Sequence, residues 1–416
     1  MFEKIKLDPD SVIVFLGTMN AMPMMYALEL KKSGYEVIYF VDVPRINTLS
    51  RPENHFPSIT YPYPQWIIEC ILPSEVLVPL FPKLFALFYK KWAELITGKK
   101  ATCFILSGLF SSIAPYLPRI VKKIGLPHGS DLDSWANIED VHLLIKNYKD
   151  NSKFRYVPNF IAAVMIRKIV SAQYAGYKRT EAVVYFPANF NAAGDKVLEK
   201  LAHHGVVHVP RYDISFEPLS GQPRSFKNSS NKIEIFSGVR FLFETFPDGN
   251  SDYNKGNDKI IAGIAKYFER NENIHVHFVE KGIDVIPAKR MCHDLGIESV
   301  VTWHKEMPFK ELLKLYENSD ICFDQVGTHW IAAVGAYALY LGKPLIANAG
   351  PAVSSGVWPV DNPICSAKTS GQVYDWLLKL EDVGFRERIS SESKIFVEAY
   401  MGPGKVLDTL FDFSDK

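Results

Sequence analysis

The 416-residue sequence has no C-x-x-C pair, no surplus of either charge and no long unbroken apolar run. Its five cysteines, Cys70, Cys103, Cys292, Cys322 and Cys365, are scattered. That spacing argues against a structural zinc site and against a disulfide framework; buried thiols in a reducing cytoplasm are the expectation. Lys and Arg number 47 against 46 Asp and Glu, a formal net charge of +1, so bulk nucleic-acid binding is not expected. A spanning helix needs roughly 20 apolar residues, and the longest candidates, near 66–88 and 160–166, are broken by Pro, Glu or Arg. The first ten residues lack a charged segment followed by an apolar one, so no signal peptide is expected and the cytoplasm is the expected compartment.

The composition is that of an ordinary globular chain, 47% apolar and 22% charged, and the length suits two or three domains. Ser11-Val-Ile-Val-Phe-Leu-Gly17 reads as a buried parallel strand ending in a glycine turn. A helix over Met22–Ser33 follows, stopped by Gly34, and then a strand over Tyr35–Val41. This is one βαβ unit. Further strands are expected at Ala101–Leu106, Val183–Phe186 and Val206–Val209, with a tight turn at Gly125–Asp131. Residues 216–231 are polar, with Pro, Gly, Ser and Asn, and read as a linker.

A second alternation then begins. Strands are expected at Lys232–Gly238, Ile274–Val279, Val300–Trp303, Ile321–Phe323 and Leu345–Ala347. The helices between them cover Asp258–Arg270, Ala288–Leu295, Phe309–Glu317 and Ile331–Leu341. A second doubly wound sheet is the expectation.

Four segments of this half resemble the nucleotide-binding domain of GT-B glycosyltransferases, nearest the retaining family that makes bacterial polysaccharides. They are Ser237-Gly-Val-Arg240 with Lys255-Gly-Asn-Asp258, Glu280-Lys-Gly-Ile-Asp284 with Leu295-Gly-Ile297, Trp303 through Asp320-Ile-Cys-Phe-Asp324, and Leu341-Gly-Lys-Pro-Leu-Ile-Ala347. The N-terminal half is similar more weakly, through Gly17, His128-Gly-Ser-Asp131 and Val209-Pro-Arg-Tyr-Asp213. The resemblance implies an α/β fold of GT-B type, two Rossmann-like doubly wound parallel-sheet domains facing each other across a cleft. Residues 1–220 would bind the acceptor, 221–398 the nucleotide-sugar, and 399–416 would return as a helix to the first domain.

It also implies site residues. Developing charge on a leaving diphosphate is stabilised by fixed cations and helix N-termini. Arg240 offers a rigid fork and Lys255 a point charge at the places where the family uses an Arg and a Lys; surface ion pairing is the alternative for both. Gly327-Thr328-His329 precedes a helix, so its amides are candidates for phosphate, and Gly17 is a further donor-side candidate. Trp303 lies where the family holds the nucleobase, as a stacking platform or as core. The family's two glutamates, eight residues apart, fall on His329 and Tyr337, with Asp324 and Gln325 just upstream as replacements for part of the role.

On the acceptor side His128 and Asp131 are the catalytic candidates, against the alternative that they close a turn. Asp131-Leu-Asp133 is formally a D-x-D, but the resemblance implies no metal at the reaction centre and no cofactor beyond the nucleotide-sugar substrate. The aromatic, basic stretches Phe81–Trp92 and Phe160–Lys168 are either core helices with solvated ends or interfacial helices; the second reading puts the chain at the inner face of the cell membrane and suits a lipid-linked acceptor. The partners implied are a UDP- or GDP-sugar and a glycan or lipid-linked glycan. A nucleotide-sugar epimerase and a non-catalytic partner protein of the same fold are the alternatives, the latter suggested by the missing glutamates.

Overall fold

Val12–Leu16 is buried at all five positions, as a strand must be when both faces of its sheet are covered. In the computed structural model it is the third strand of a wholly parallel seven-stranded sheet. The structure describes residues 3–7, 10, 12–56, 58–148, 154, 156–211, 232–246, 251, 254–327 and 331–413, with the backbone alone for Lys310. The expected linker at 216–231 lies outside them. The chain divides into two units, Met1–Glu217 with Pro403–Lys416, and Pro218–Gly402.

The sheet of the first unit is built from β1 (Val12–Leu16), β2 (Glu36–Val41), β3 (Ile67–Glu69), β4 (Ala101–Leu106), β5 (Lys122–Gly125), β6 (Ala182–Tyr185) and β7 (Val207–Pro210), in the order β3-β2-β1-β4-β5-β6-β7. Helix α1 (Pro23–Lys32) packs Met24, Met25 and Leu30 on one face with Ile13, Phe15 and Val37. The C-terminal helix Pro403–Leu410 adds Val406, Leu407 and Leu410 to the same core, and Phe411–Asp412 pairs in parallel with Ile5–Lys6. On the other face α2 (Pro82–Thr97) places Ala86, Tyr89 and Ala93 against Phe40, Phe104 and Leu106. Helix α3 (Asn159–Tyr177) builds a satellite core around Trp135 and Phe154.

The second unit holds a parallel six-stranded sheet of β8 (Ile233–Ser237), β9 (Ile274–Val279), β10 (Val301–His304), β11 (Ile321–Phe323), β12 (Leu345–Ala347) and β13 (Cys365–Ser366), in the order β10-β9-β8-β11-β12-β13. Helix α4 (Asn257–Phe268) buries Ile260, Ile261 and Ile264 with Ile235 and Val276 on one face. Helix α5 (Ala333–Tyr340) precedes β12.

The expected α/β class with two doubly wound parallel sheets is the architecture found. Five short strands have no counterpart among those expected: Ile5–Lys6, Ile67–Glu69, Lys122–Gly125, Cys365–Ser366 and Phe411–Asp412. The segment Gly125–Asp131, expected as a tight turn, is the end of β5 followed by a short helix, Ser130–Asp133. Strand β5 opens on Lys122-Lys123, yet Lys123 is buried and its backbone N–H donates to the Glu181 carboxylate at 2.6 Å. All five cysteines are free thiols, four of them buried.

Candidate functional site

In an open parallel sheet, ligands bind beyond the C-terminal strand ends where the strand order reverses. In the first unit that point lies between β1 and β4. A cavity of ≈ 560 Å³ opens there, lined among others by Gly17, Thr18, Asn20, Asp42, Glu75 and His128. Gly17 has φ +90°, and a Cβ on it would stand 2.3 Å from the Ser107 carbonyl oxygen. Only glycine fits the crossing of the two loops that frame the cavity. Asp42, at the end of β2, accepts from the Thr18 backbone N–H at 3.1 Å and from its hydroxyl at 2.6 Å. Burial pushes the Asp42 carboxyl up to about 6, against the opposing pull of the Thr18 bonds.

His128 borders the cavity, and Asp131 is what holds it there. The Asp131 side chain is 1% exposed. Its Oδ1 accepts from the backbone N–H of His128 at 2.8 Å and of Gly129 at 2.9 Å, and its Oδ2 from Gly108 at 3.0 Å. Burial raises its pKa to about 6 despite these bonds and the nearby Arg211 charge. Both oxygens are therefore committed to backbone amides, and the cavity lining includes His128 and Ser130 but not Asp131. The structure thus places Asp131, one of the two catalytic candidates, behind the lining, where its carboxylate ties the His128 loop to the loop after β4.

Two further polar side chains brace that loop. Gln173 donates from Nε2 to the Gly108 carbonyl at 2.6 Å and accepts from the Ser112 N–H at 3.0 Å. Buried Arg211 donates to the Pro127 carbonyl and, through Nε, to the Val184 carbonyl at 3.3 Å. Gln173 went unremarked in the sequence because a lone amide in an apolar helix carries no periodic signal. Asp133, the other half of the D-x-D, accepts from Asn191 Nδ2 at 2.8 Å and Tyr185 Oη at 3.2 Å. The two carboxylates serve separate sets of donors.

In the second unit the order reverses between β8 and β11, and Arg240 and Lys255 lie in the loops at that point. Lys255 is tied on both sides. Its N–H donates to the Leu242 carbonyl at 2.8 Å, and its carbonyl accepts from Val326 at 3.1 Å. Its Nζ donates to Gln325 Oε1 at 2.9 Å. Burial lowers the Lys255 pKa; the Asp324 carboxylate opposes this, and the Arg240 charge adds to it. Arg240 is exposed and forms no ion pair among the described residues. Beside them α4 begins at Gly256, which has φ +72° and gives no side-chain cap to the helix amides.

Glycine also sets the approach of these loops. A Cβ on Gly327 would stand 1.9 Å from the Asn254 carbonyl oxygen, so the loop after β11 presses directly on the Lys255 loop. Asn348, unread in the sequence, holds the Gly327 carbonyl from Nδ2 at 2.7 Å. Asp324, 1% exposed, accepts from the Ala332 N–H at 2.6 Å and the Gly335 N–H at 3.1 Å, anchoring the start of α5. Of the two residues expected to replace the missing glutamates, Asp324 thus holds backbone and Gln325 holds Lys255.

Thr328 and His329 lie outside the described residues. Trp303 packs its ring 5.3 Å from Phe241 and 5.2 Å from Phe278, with Lys289 Nζ 5.3 Å from its centre. It is placed as the flank of the core. Tyr337 is buried against Phe309 at 4.5 Å and Tyr316 at 6.4 Å. The structure therefore brings Lys255, Gln325 and Gly327 together, with the Arg240 charge acting on Lys255, and packs Trp303 and Tyr337 against neighbouring aromatics.

No protein-family model and no curated protein matches the sequence. Among solved structures, sucrose-phosphate synthase from Thermosynechococcus elongatus is similar with a TM-score of 0.57 and 12% identity, over 96% of this chain and 97% of that one. A putative UDP-N-acetylglucosamine 2-epimerase from Listeria monocytogenes (TM-score 0.49, 8% identity, 95% and 94% covered) and WaaG, a glycosyltransferase involved in lipopolysaccharide biosynthesis (0.46, 14%, 96% and 99%), are also similar. The likeness to the synthase, over nearly all of both chains, shows the GT-B fold.

Proposed function

We propose that this chain is a glycosyltransferase that takes a sugar from a UDP- or GDP-sugar and passes it to a glycan or lipid-linked glycan of a bacterial surface polysaccharide, with retention at the sugar carbon. The observation that carries the reading is the pairing of exposed Arg240 with half-buried Lys255 beside the uncapped start of α4, at the switch point of the second sheet. A diphosphate suits that arrangement. The ammonium of Lys255 has three donors, and Gln325 takes one. The remaining donors, the Arg240 fork and the α4 amides would meet the phosphate oxygens. Partial burial of Lys255 strengthens its field on charge that develops as the sugar–oxygen bond breaks.

The cavity of the first unit supports an acceptor rich in hydroxyls. Its volume is within the range of about 300–1,000 Å³ usual for small-ligand sites, and Asp42, Thr18, Asn20 and His128 offer it both donors and acceptors. In the retaining reaction the acceptor O–H breaks as its oxygen joins the sugar carbon, and the leaving phosphate takes the proton. His128 orients the reacting hydroxyl; Asp131 acts through it.

Peripheral contact with a membrane is part of the same reading. Helix α2 leaves Leu84, Leu87, Phe88 and Leu95 exposed beside Lys91, and α3 leaves Phe160 and Val164 exposed. Lys168 Nζ lies 5.9 Å from the Phe81 ring, so the two faces adjoin. Among the described residues no helix is long and apolar enough to cross a membrane.

Turnover of UDP- and GDP-sugars with and without a lipid-linked acceptor tests the proposal. Transfer that needs the acceptor supports it. Conversion of a nucleotide-sugar with no acceptor would point to an epimerase instead, and inertness toward every donor would contradict it.

A further inference from the structure

The second sheet carries a polar cluster that the glycosyl-transfer reading does not use. Glu234 on β8, His275 and His277 on β9, and Thr302 and His304 on β10 share one face. The opposite face carries Ile235, Val276 and Phe278 into the core. The cluster sits toward the N-terminal half of β8 and β9, away from the strand ends that carry Arg240 and Lys255. His275 Nδ1 is 3.0 Å and His277 Nε2 is 2.9 Å from the same oxygen, Glu234 Oε2. The three candidate donor atoms all lie within 4.8 Å of one another. The side chains are partly buried, 32% exposed for His275, 17% for His277 and 22% for Glu234.

We propose that Glu234, His275 and His277 bind a divalent transition-metal ion, with zinc as the reference case, at a site separate from glycosyl transfer. Two imidazoles and one carboxylate on a half-exposed face are a donor set that such ions favour, with a fourth position left to water. The outer contacts fit the same assignment. A ligating imidazole needs a lone pair toward the metal and an N–H on its other nitrogen, held by an acceptor. His275 Nε2 is 2.9 Å from Thr302 Oγ1, and His277 Nδ1 is 2.9 Å from His304 Nε2. Each ring thus has, on the side away from Glu234, an acceptor that would fix the metal-binding tautomer. On binding, the protons now facing Glu234 move to the opposite ring nitrogens. The imidazoles stay neutral and the carboxylate keeps its charge for the ion.

The ion would join β9 to β8, with the edge strand β10 tied in through Thr302 and His304, so the role is structural or regulatory. The test is equilibrium dialysis of the full, tag-free chain with zinc, and the visible absorption of the cobalt-loaded chain. One zinc ion retained per chain, with cobalt bands of the intensity of a four- or five-coordinate site, is expected. A His275→Gln/His277→Gln double variant should retain none. His304→Gln, which leaves all three ligands in place, should weaken retention about 10–100-fold, and it decides the matter should the double variant not fold. Failure of the wild-type chain to retain a stoichiometric ion, or unchanged retention in His304→Gln and the double variant, would overturn the proposal. Neither result bears on donor turnover, which is measured separately.

Discussion

Lys255 Nζ donates to Gln325 Oε1 at 2.9 Å, joining the loop before α4 to the loop after β11. This bond aims a half-buried cation from the point where the second sheet reverses its strand order, and Arg240 is close enough to lower the Lys255 pKa.

Replacing either cation should cost transition-state stabilisation rather than folding. Arg240 is exposed and without an ion pair among the described residues, so Arg240→Ala should leave the melting temperature nearly unchanged. Its kcat/KM for the donor should fall by roughly 10²–10³, the usual loss for one fixed donor at developing charge. Gln325→Ala should lower it less, because Lys255 keeps its charge and loses only its aim. Steady-state kinetics beside thermal melts separates these outcomes.

Gly327→Ala tests the same site through the backbone. The added methyl would stand 1.9 Å from the Asn254 carbonyl oxygen, so the Lys255 loop must shift. Weaker donor binding with retained secondary structure is expected, from dichroism and nucleotide titration on the same sample. Unchanged affinity would mean that the Lys255 loop does not shape the site.

The Asp42 carboxyl, pushed from an ordinary 3.8 to about 6 by burial, makes a signed prediction. Its folded pKa lies above its unfolded one, so the folded state holds the proton more tightly. The stability this gives is complete below about pH 4 and is lost as pH rises through about 6. At about 1.4 kcal/mol per unit, the loss is at most about 3 kcal/mol. Asp42→Asn keeps an oxygen for Thr18 but cannot ionise. Relative to wild type, the variant should therefore gain stability between about pH 4 and pH 7, as read by urea unfolding. A pH-independent difference would contradict the assignment.

The exposed faces of α2 and α3 predict reversible binding to anionic vesicles that weakens with salt. Leu87→Asp/Phe160→Asp places charge on two side chains that are 54% and 73% exposed, so the fold should tolerate it. Flotation should be lost while turnover of a soluble acceptor analogue persists. Equal flotation of variant and wild type would remove the membrane contact.

Strands with a clear pattern, the largely apolar Ala101–Leu106 and the alternating Ile274–Val279, were legible to the residue. So were the helix stops at Gly34, Gly296 and Gly342, all at positive φ. The edge strands Ile67–Glu69 and Cys365–Ser366 were not, since two or three residues carry no period. Arg240 and Lys255 could be paired from the resemblance, but the bond from Lys255 to Gln325 joins residues 70 apart in sequence. His128 and Asp131 could be picked out together; which faces the cavity and which holds backbone depends on Gly108, a strand away. The packing of Tyr337 and Trp303 was not legible by spacing, because an aromatic at a ligand position and one packed on a core look alike in sequence.

The most direct test of the central claim is calorimetric titration of the full chain with UDP and with GDP. One of the two should bind with one-to-one stoichiometry, and the Arg240→Ala/Lys255→Ala double variant should lose that binding while keeping its melting temperature. Binding of neither nucleotide by the wild-type chain, or equal affinity in the double variant, would contradict the account.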